Sequence, residues 1–440
     1  MKPRLNPINV GLLGIGIVGG GTWDVLSRNA DEIQRRAGRA IRSSVVADKA
    51  LDRAEKIVGG KAKVVADAFQ VVRGNEVEIV VELIGGTTVA KDLVLEAIQH
   101  GKHVVTANKA LLATHGNEIF AAAQKKGVMV AFEAAVAGGV PIIKALREGL
   151  SANRIEWIAG IINGTSNFIL SEMRDKGIAF DEALKDAQKR GYAEADPTFD
   201  IEGVDAAHKL TILSALAFGI PMQFQKCFRE GIQKLTKADI RYAEELGYRI
   251  KLLGITKKAT DGIELRVHPT LVPARRLIAN VEGVMNAILV KGDAVGATMY
   301  YGAGAGSQPT ASAVVADLVD VTRLITADPE QRVPHLAFQP DQLSDEPVLP
   351  IDAVESACYL RMRVQDEPGV LADITRTLAD SRISIEAMVQ KEPSEGERQV
   401  DIVLLTNRAV ERNVNSAIAK IEKQPTVLGP VTRIRLEPLL

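Results

Sequence analysis

Cysteine is scarce in this chain: Cys227 and Cys358 are the two it has among 440 residues. They stand far apart with no metal-ligand spacing, which excludes a disulfide framework and a cysteine-bound zinc site and fits a reducing compartment. Net charge is lacking too, because 54 Lys and Arg face 55 Asp and Glu. No global field then recruits nucleic acid or an anionic membrane, and small molecules are the expected partners. Long apolar runs are also missing. The stretch from Leu210 to Ile220 is too short to cross a bilayer. The apolar run INVGLL near the start is short and glycine-studded, and reads as a strand rather than a signal-peptide core. The expectation is a cytoplasmic protein.

What is present is a globular composition, 46% hydrophobic and 25% charged, with length for two or three cores. Residues 8–13, 44–47, 63–65, 78–84, 103–107 and 128–134 are Val- and Ile-rich runs separated by helical patterns, the mark of a parallel sheet with crossover helices. From about Arg154 longer helices mix with strands at 154–162, 262–272 and 285–292, an α+β layer. Five prolines between Ala327 and Ser356 (Pro329, Pro334, Pro340, Pro347, Pro350) read as an extended linker. Beyond them the order strand, helix, strand, strand, helix, strand makes a ferredoxin-like unit, small and set apart enough to be a regulatory or assembly module.

Gly14-Ile15-Gly16-Ile17-Val18-Gly19 follows the first strand and opens a helix, the setting in which glycines let a backbone approach a pyrophosphate at a helix N-terminus. The second strand ends at Asp48-Lys49, where the acid suits a ribose hydroxyl and Lys49 or Arg53 suits a 2′-phosphate, so NAD and NADP both stay open. Strand ends at Gly85-Gly86-Thr87-Thr88 and at Asn108-Lys109 should face the nicotinamide. Lys109 is either a surface lysine opening a helix or a functional one. A second glycine stretch, from Gly302 to Gly306, is either another phosphate site or a turn that returns the chain onto the first domain.

The densest chemistry lies from Glu194 to Lys209, where Glu194, Asp196, Asp200, Glu202 and Asp205 precede a single lysine. Asp205 and Lys209 are four apart and project from one helix face. On the surface that would be a bland ion pair. The helix, however, carries Leu210, Ile212, Leu213, Leu216 and Phe218, so it is apolar nearly all round and belongs in an interior, where a charge must be paired or used. Asn163-Gly164-Thr165-Ser166-Asn167, at another strand end, is either a turn or a set of substrate-facing polar groups.

Together these stretches resemble the homoserine dehydrogenase family: the glycine loop, VELIGG, TANK, FEAAVAGGVP, NGTSN and the signature from Ala187 through Gly191, Asp196-Pro197, Asp200, Gly203 and Asp205 to Lys209. The resemblance covers roughly residues 8 to 325, and the C-terminal unit resembles an ACT domain. It implies an α/β protein with a Rossmann-type NAD(P)-binding domain over 1–137 (303–326 packing back onto it), an α+β catalytic and dimerisation domain over 138–302, a linker over 327–354 and a ferredoxin-like ACT domain over 355–440. The implied reaction is the reversible NAD(P)-dependent reduction of L-aspartate 4-semialdehyde to L-homoserine in threonine, methionine and isoleucine biosynthesis. Lys209 would move the proton, helped by Asp205 and Lys109, and burial would lower the lysine's pKa toward usefulness. Glu194, Asp205, Asp200 and Thr165 would bind substrate; Gly14, Ile15, Gly16, Val18, Gly19, Gly86, Thr87, Lys109 and Gly306 would bind cofactor. The resemblance further implies a monovalent cation such as sodium at Glu133, Val136, Gly138 and Val140, an amino-acid effector such as L-threonine, and a homodimer or homotetramer. Another ACT-regulated amino-acid dehydrogenase and a nucleotide sensor without catalysis are the rival readings.

Overall fold

A computed structural model of the chain describes residues 6–393 and 396–439. The first five residues of the expected nucleotide domain, and 394, 395 and 440 of the ferredoxin-like unit, lie outside the described residues. The chain forms two compact, interleaved units, one of residues up to Gly164 with Asp205–Gln225 and Met285–Glu346, the other of Thr165–Val204, Lys226–Val284 and the residues from Pro347 on.

The first unit holds a six-stranded parallel sheet in the order β3-β2-β1-β4-β5-β6, with β1 at Ile8–Leu13, β2 at Ile41–Ala47, β3 at Lys63–Val65, β4 at Ile79–Glu82, β5 at His103–Thr106 and β6 at Val130–Ala131. Crossover helices cover both faces. Val10, Val46, Ile79, Val81 and Val105 are accordingly lost from solvent completely. Strand β6 is shorter than its apolar run because the backbone turns at Glu133, whose N–H donates to Asp317 Oδ2 at 2.8 Å. An antiparallel set, Gly296–Ala303, Met285–Gly292 and Ile155–Ile161 in that order, lies in the same unit. The strand Gly296–Ala303 is not legible as such: glycine is depleted in strands, and Gly302 and its neighbours read as a loop. The helix Ser307–Leu324 returns to the nucleotide fold, where Ser307 Oγ donates to the Ile17 carbonyl at 2.9 Å and Val314 and Leu318 join the core around Val10 and Leu12.

In the second unit Tyr248–Ala259 and Gly262–Pro273 form a long antiparallel hairpin. Its first strand, too, was hidden in the sequence, because three lysines and a glycine break its apolar pattern. Lys251 is nevertheless buried and satisfied, donating to the Val281 carbonyl at 2.6 Å. The ferredoxin-like order is as expected, with strands Glu355–Gln365, Ile385–Gln390, Gln399–Thr406 and Thr432–Leu436 and helices Val370–Asp380 and Glu411–Ile421. Its last strand also pairs in parallel with the hairpin, Thr270 beside Arg435 and Leu271 beside Leu436. The module therefore continues the hairpin's sheet instead of hanging from it.

At that seam lies a buried ionic network. Arg435, 1% exposed, donates to both carboxylate oxygens of Glu411 at 2.8 and 3.0 Å and to Glu230 at 2.7 Å. Arg266 donates to Glu264 at 2.9 Å and to Glu437 at 2.5 Å. The proline-rich segment is likewise docked: His335 Nε2 accepts from Val130 N–H at 3.1 Å in the first unit, and Pro347 O accepts from Ile263 N–H at 2.9 Å in the second. Proline withdraws its own N–H from pairing, but its neighbours keep theirs.

Candidate active site

The glycine loop is shaped from within and from without. Gly14 sits at φ +91°, and a Cβ on Gly19 would lie 2.1 Å from the Gly14 carbonyl oxygen, so the turn itself demands both glycines. At Gly16 a Cβ would meet nothing within 4 Å. The helix Ile17–Arg28 begins there with no side-chain cap, leaving its N-terminal dipole and amides to a ligand. A pyrophosphate fits this cradle. Asp48, at the carboxyl end of β2, accepts from Ile15 N–H and Ala50 N–H, each at 2.8 Å, and pairs with Arg53 at 3.2 Å. These donors hold its carboxyl below the usual range against the opposing effect of burial.

The carboxyl ends of β4 and β5 carry the next layer. Gly85 and Gly86 take positive φ, at 80° and 75°, and Thr87 is half-buried beside them. Asn108 caps the helix Lys109–Lys126 by accepting from Leu111 N–H at 3.1 Å. That cap sets Lys109 at the first helical position.

From there Lys109 reaches an acid. Lys109 Nζ lies 3.0 Å from Asp205 Oδ1, and Lys209 Nζ lies 2.7 Å from Asp205 Oδ2. Asn163 Nδ2 donates to the same Oδ2 at 2.8 Å, and Lys209 also donates to the Ile162 carbonyl at 2.7 Å. The helix Val204–Phe218 that carries the acid and Lys209 is buried over almost its whole length. Burial alone would raise the Asp205 carboxyl, but the two ammonium groups, with the donors from Lys209 and Asn163, hold it well below the usual carboxylate range. One carboxylate thus anchors two lysines, and both its oxygens are engaged. The link from Lys109 to Asp205 crosses the chain from residue 109 to 205, and no sequence spacing announces it.

The remaining expected residues are placed differently. Thr165 Oγ1 donates to the Tyr192 carbonyl at 2.6 Å, Glu194 is exposed, and the Asp200 carbonyl accepts from Ser166 Oγ at 3.1 Å; all belong to the second unit. Gly306, at φ +120°, opens the returning helix. Around the expected cation position, Glu133 spends its two carboxylate oxygens on the amides of Ile143 and Lys144, at 2.9 and 2.8 Å. Burial raises its carboxyl, and burial together with Glu133 pushes the neighbouring Asp317 up to about 8. Ala137 and Gly138 take positive φ, at 54° and 40°, between Val136 and Val140. Among the described residues no cluster of three or more His, Cys, Asp or Glu could hold a metal. Sequence reading overlooked Glu82, buried at the end of β4, which joins the two strand-end loops. A charged residue closing an apolar strand was the available signal.

Residues 141–319 match the family described as homoserine dehydrogenase, residues 14–133 its NAD-binding domain, and residues 359–423 the ACT domain. The chain is 62% identical to a homoserine dehydrogenase of Pseudomonas aeruginosa over 99% of its own length and 100% of the relative's. The chain belongs to the homoserine dehydrogenase family. It is therefore an oxidoreductase with a nicotinamide nucleotide domain and a C-terminal ACT domain. Another homoserine dehydrogenase, from Neisseria gonorrhoeae, is 60% identical over 99% of this chain and 100% of that one. The crystal structure of a homoserine dehydrogenase from Thiobacillus denitrificans superimposes with a TM-score of 0.95 at 71% identity, covering 99% of this chain and 100% of that one. A hyperthermophilic archaeal homoserine dehydrogenase in complex with NADPH aligns with a TM-score of 0.63 at 25% identity, over 72% of this chain and 98% of that one. Among the described residues no helix is long and apolar enough to cross a membrane.

Proposed function

We propose that this family member interconverts L-aspartate 4-semialdehyde and L-homoserine at the Lys209, Asp205 and Lys109 cluster. The observation that carries the reading is the single carboxylate of Asp205 held between two ammonium groups. Bound nicotinamide supplies the hydride that becomes the new C–H bond. As the carbonyl bond opens, negative charge grows on oxygen, and Lys209 delivers the proton that completes the alcohol. Lys109 adds positive charge beside the same oxygen. Asp205, engaged on both oxygens, holds the two lysines in place and, with Glu194, Asp200 and Thr165, takes the substrate's ammonium end and fixes its direction. Gly14, Ile15, Gly16, Val18 and Gly19 cradle the pyrophosphate, with Gly86, Thr87 and Gly306 on the same cleft. Aspartate semialdehyde should drive loss of nicotinamide absorbance, with homoserine driving the reverse. No turnover in either direction would sink the reading.

The same reading favours NADP over NAD. Asp48, the acid that would take a ribose hydroxyl, already serves Ile15, Ala50 and Arg53. Arg53 and Lys49 remain exposed toward solvent at that strand end, suited to a 2′-phosphate. One charge-assisted contact contributes roughly 1.5 to 3 kcal/mol, so kcat/KM should be about tenfold or more higher with NADPH than with NADH. A preference for NADH would refute this assignment and leave the reaction standing.

Three further parts rest on family likeness. A monovalent cation such as sodium would take Glu133 together with main-chain carbonyls of Val136, Gly138 and Val140, where the positive-φ turn can direct main-chain oxygens. The ACT domain would bind an amino-acid effector such as L-threonine. The protein would work as a homodimer or homotetramer.

A further inference from the structure

Glu82 ends β4 with no exposure to solvent, and Thr106 ends the adjacent strand β5 directly beside it, equally buried. Glu82 Oε1 accepts the N–H groups of Ile84 and Gly85, both at 3.0 Å, while Oε2 accepts the Thr106 hydroxyl at 2.7 Å. The hydroxyl oxygen in turn accepts from Asn108 N–H at 3.0 Å. Asn108 then closes the ring, its amide donating to the Gly86 carbonyl at 2.7 Å while its carbonyl oxygen caps the helix that starts at Lys109. The loop after β4 also lies against the glycine turn, since a Cβ on Gly14 would come 2.9 Å from the Leu83 carbonyl oxygen. Among the described residues the donors to this buried carboxylate are neutral, an expensive way to stabilise a fold, for a hydrophobic residue would fill the space without desolvation. What the carboxylate achieves is a fixed backbone at Ile84–Gly86 and a fixed origin for Lys109.

We propose that Glu82, Thr106 and Asn108 form a hydrogen-bonded relay that locks the 83–88 loop and the Lys109 helix start into one rigid element, with Glu82 as a positioning residue for the cofactor and for Lys109. This rests on the nucleotide reading above. Gln at position 82 keeps the size but supplies an NH2 where Thr106 needs an acceptor, so the hydroxyl proton loses its partner. Val at position 106 keeps the shape and removes the hydroxyl, whereas Ser keeps the hydroxyl.

The test measures NADPH affinity by fluorescence titration and steady-state kinetics on the full-length protein, together with thermal unfolding. Glu82→Gln and Thr106→Val should each raise Kd and KM for NADPH about tenfold, the effect of roughly 1.4 kcal/mol. Thr106→Ser should retain parent affinity. Folded Glu82→Gln and Thr106→Val proteins that bind NADPH like the parent, even with a lowered Tm, would overturn the relay and leave it a stability device. Should Glu82→Gln fail to fold, Thr106→Val against Thr106→Ser decides by the same criterion. A parent protein that does not bind NADPH would overturn the cofactor reading, and the relay's role with it.

Discussion

Lys209→Ala should lower kcat about a thousandfold, within the range of 10² to 10⁴ for a lost general acid, while Kd for NADPH stays unchanged. The direction follows from the burial of Lys209 and from its 2.7 Å contact with Asp205, which place its ammonium in a desolvated site beside a fixed negative partner. Removing it leaves Asp205 with Lys109 and Asn163, so the acid is still paired and the fold should persist. Lys209→Arg would keep the charge but not the point geometry of an ammonium and should recover little activity. Stopped-flow reduction of aspartate semialdehyde under single-turnover conditions separates the chemical step from release. Parent-like single-turnover rates in Lys209→Ala would remove this lysine from the mechanism.

Arg435→Met should destabilise the protein by roughly 1.5 to 3 kcal/mol, the order of a lost charge-assisted contact to a buried acid that keeps a second cation. The substitution removes two hydrogen bonds from Glu411, which is fully buried at the start of its helix and keeps Arg433, at 3.1 Å, as its remaining cation. It also removes the contact to Glu230, outside the ferredoxin-like strands. Adding Glu411→Gln should restore part of the loss, because Arg433 then faces Glu230 alone and no longer serves two carboxylates. Urea unfolding of the two variants provides the comparison. A change below about 1 kcal/mol, typical of exposed pairs, would show that the network is not held dry. The same geometry predicts that cutting the chain near residue 350 exposes the hairpin's edge and leaves Arg266 without Glu437. Such a truncation should lose solubility before it reveals anything about an effector.

The nucleotide fold was legible because burial on both faces imposes near-continuous Val and Ile, and because the loop geometry leaves no alternative to Gly14 and Gly19. Lys209 and Asp205 were legible because a four-residue spacing on an apolar helix is local. Lys109 could be suspected from its strand end, yet its bond to Asp205 depends on how the strands are ordered. Glu82 was hidden for the same reason, since its partner Thr106 becomes a neighbour only through the register of β4 and β5. The strands Tyr248–Ala259 and Gly296–Ala303 were missed because a buried lysine and edge glycines contradict propensity that tertiary pairing then overrides. The proline segment reads as an extended linker, and along it the His335 ring and the Pro347 carbonyl accept from Val130 and Ile263.

The strand Thr432–Leu436, lying between the hairpin and the rest of the ferredoxin-like sheet, also has a bearing on biosynthesis. The hairpin emerges from the ribosome long before the strand that pairs with Thr270 and Leu271 has been made. Until then part of Gly262–Pro273 presents unpaired backbone and Arg266 lacks one of its carboxylates, the kind of open edge that invites aggregation. Nascent chains should therefore depend on chaperones from the hairpin's emergence until the last strand is made, and substitutions in the last strand should show themselves first as poor yield at elevated growth temperature.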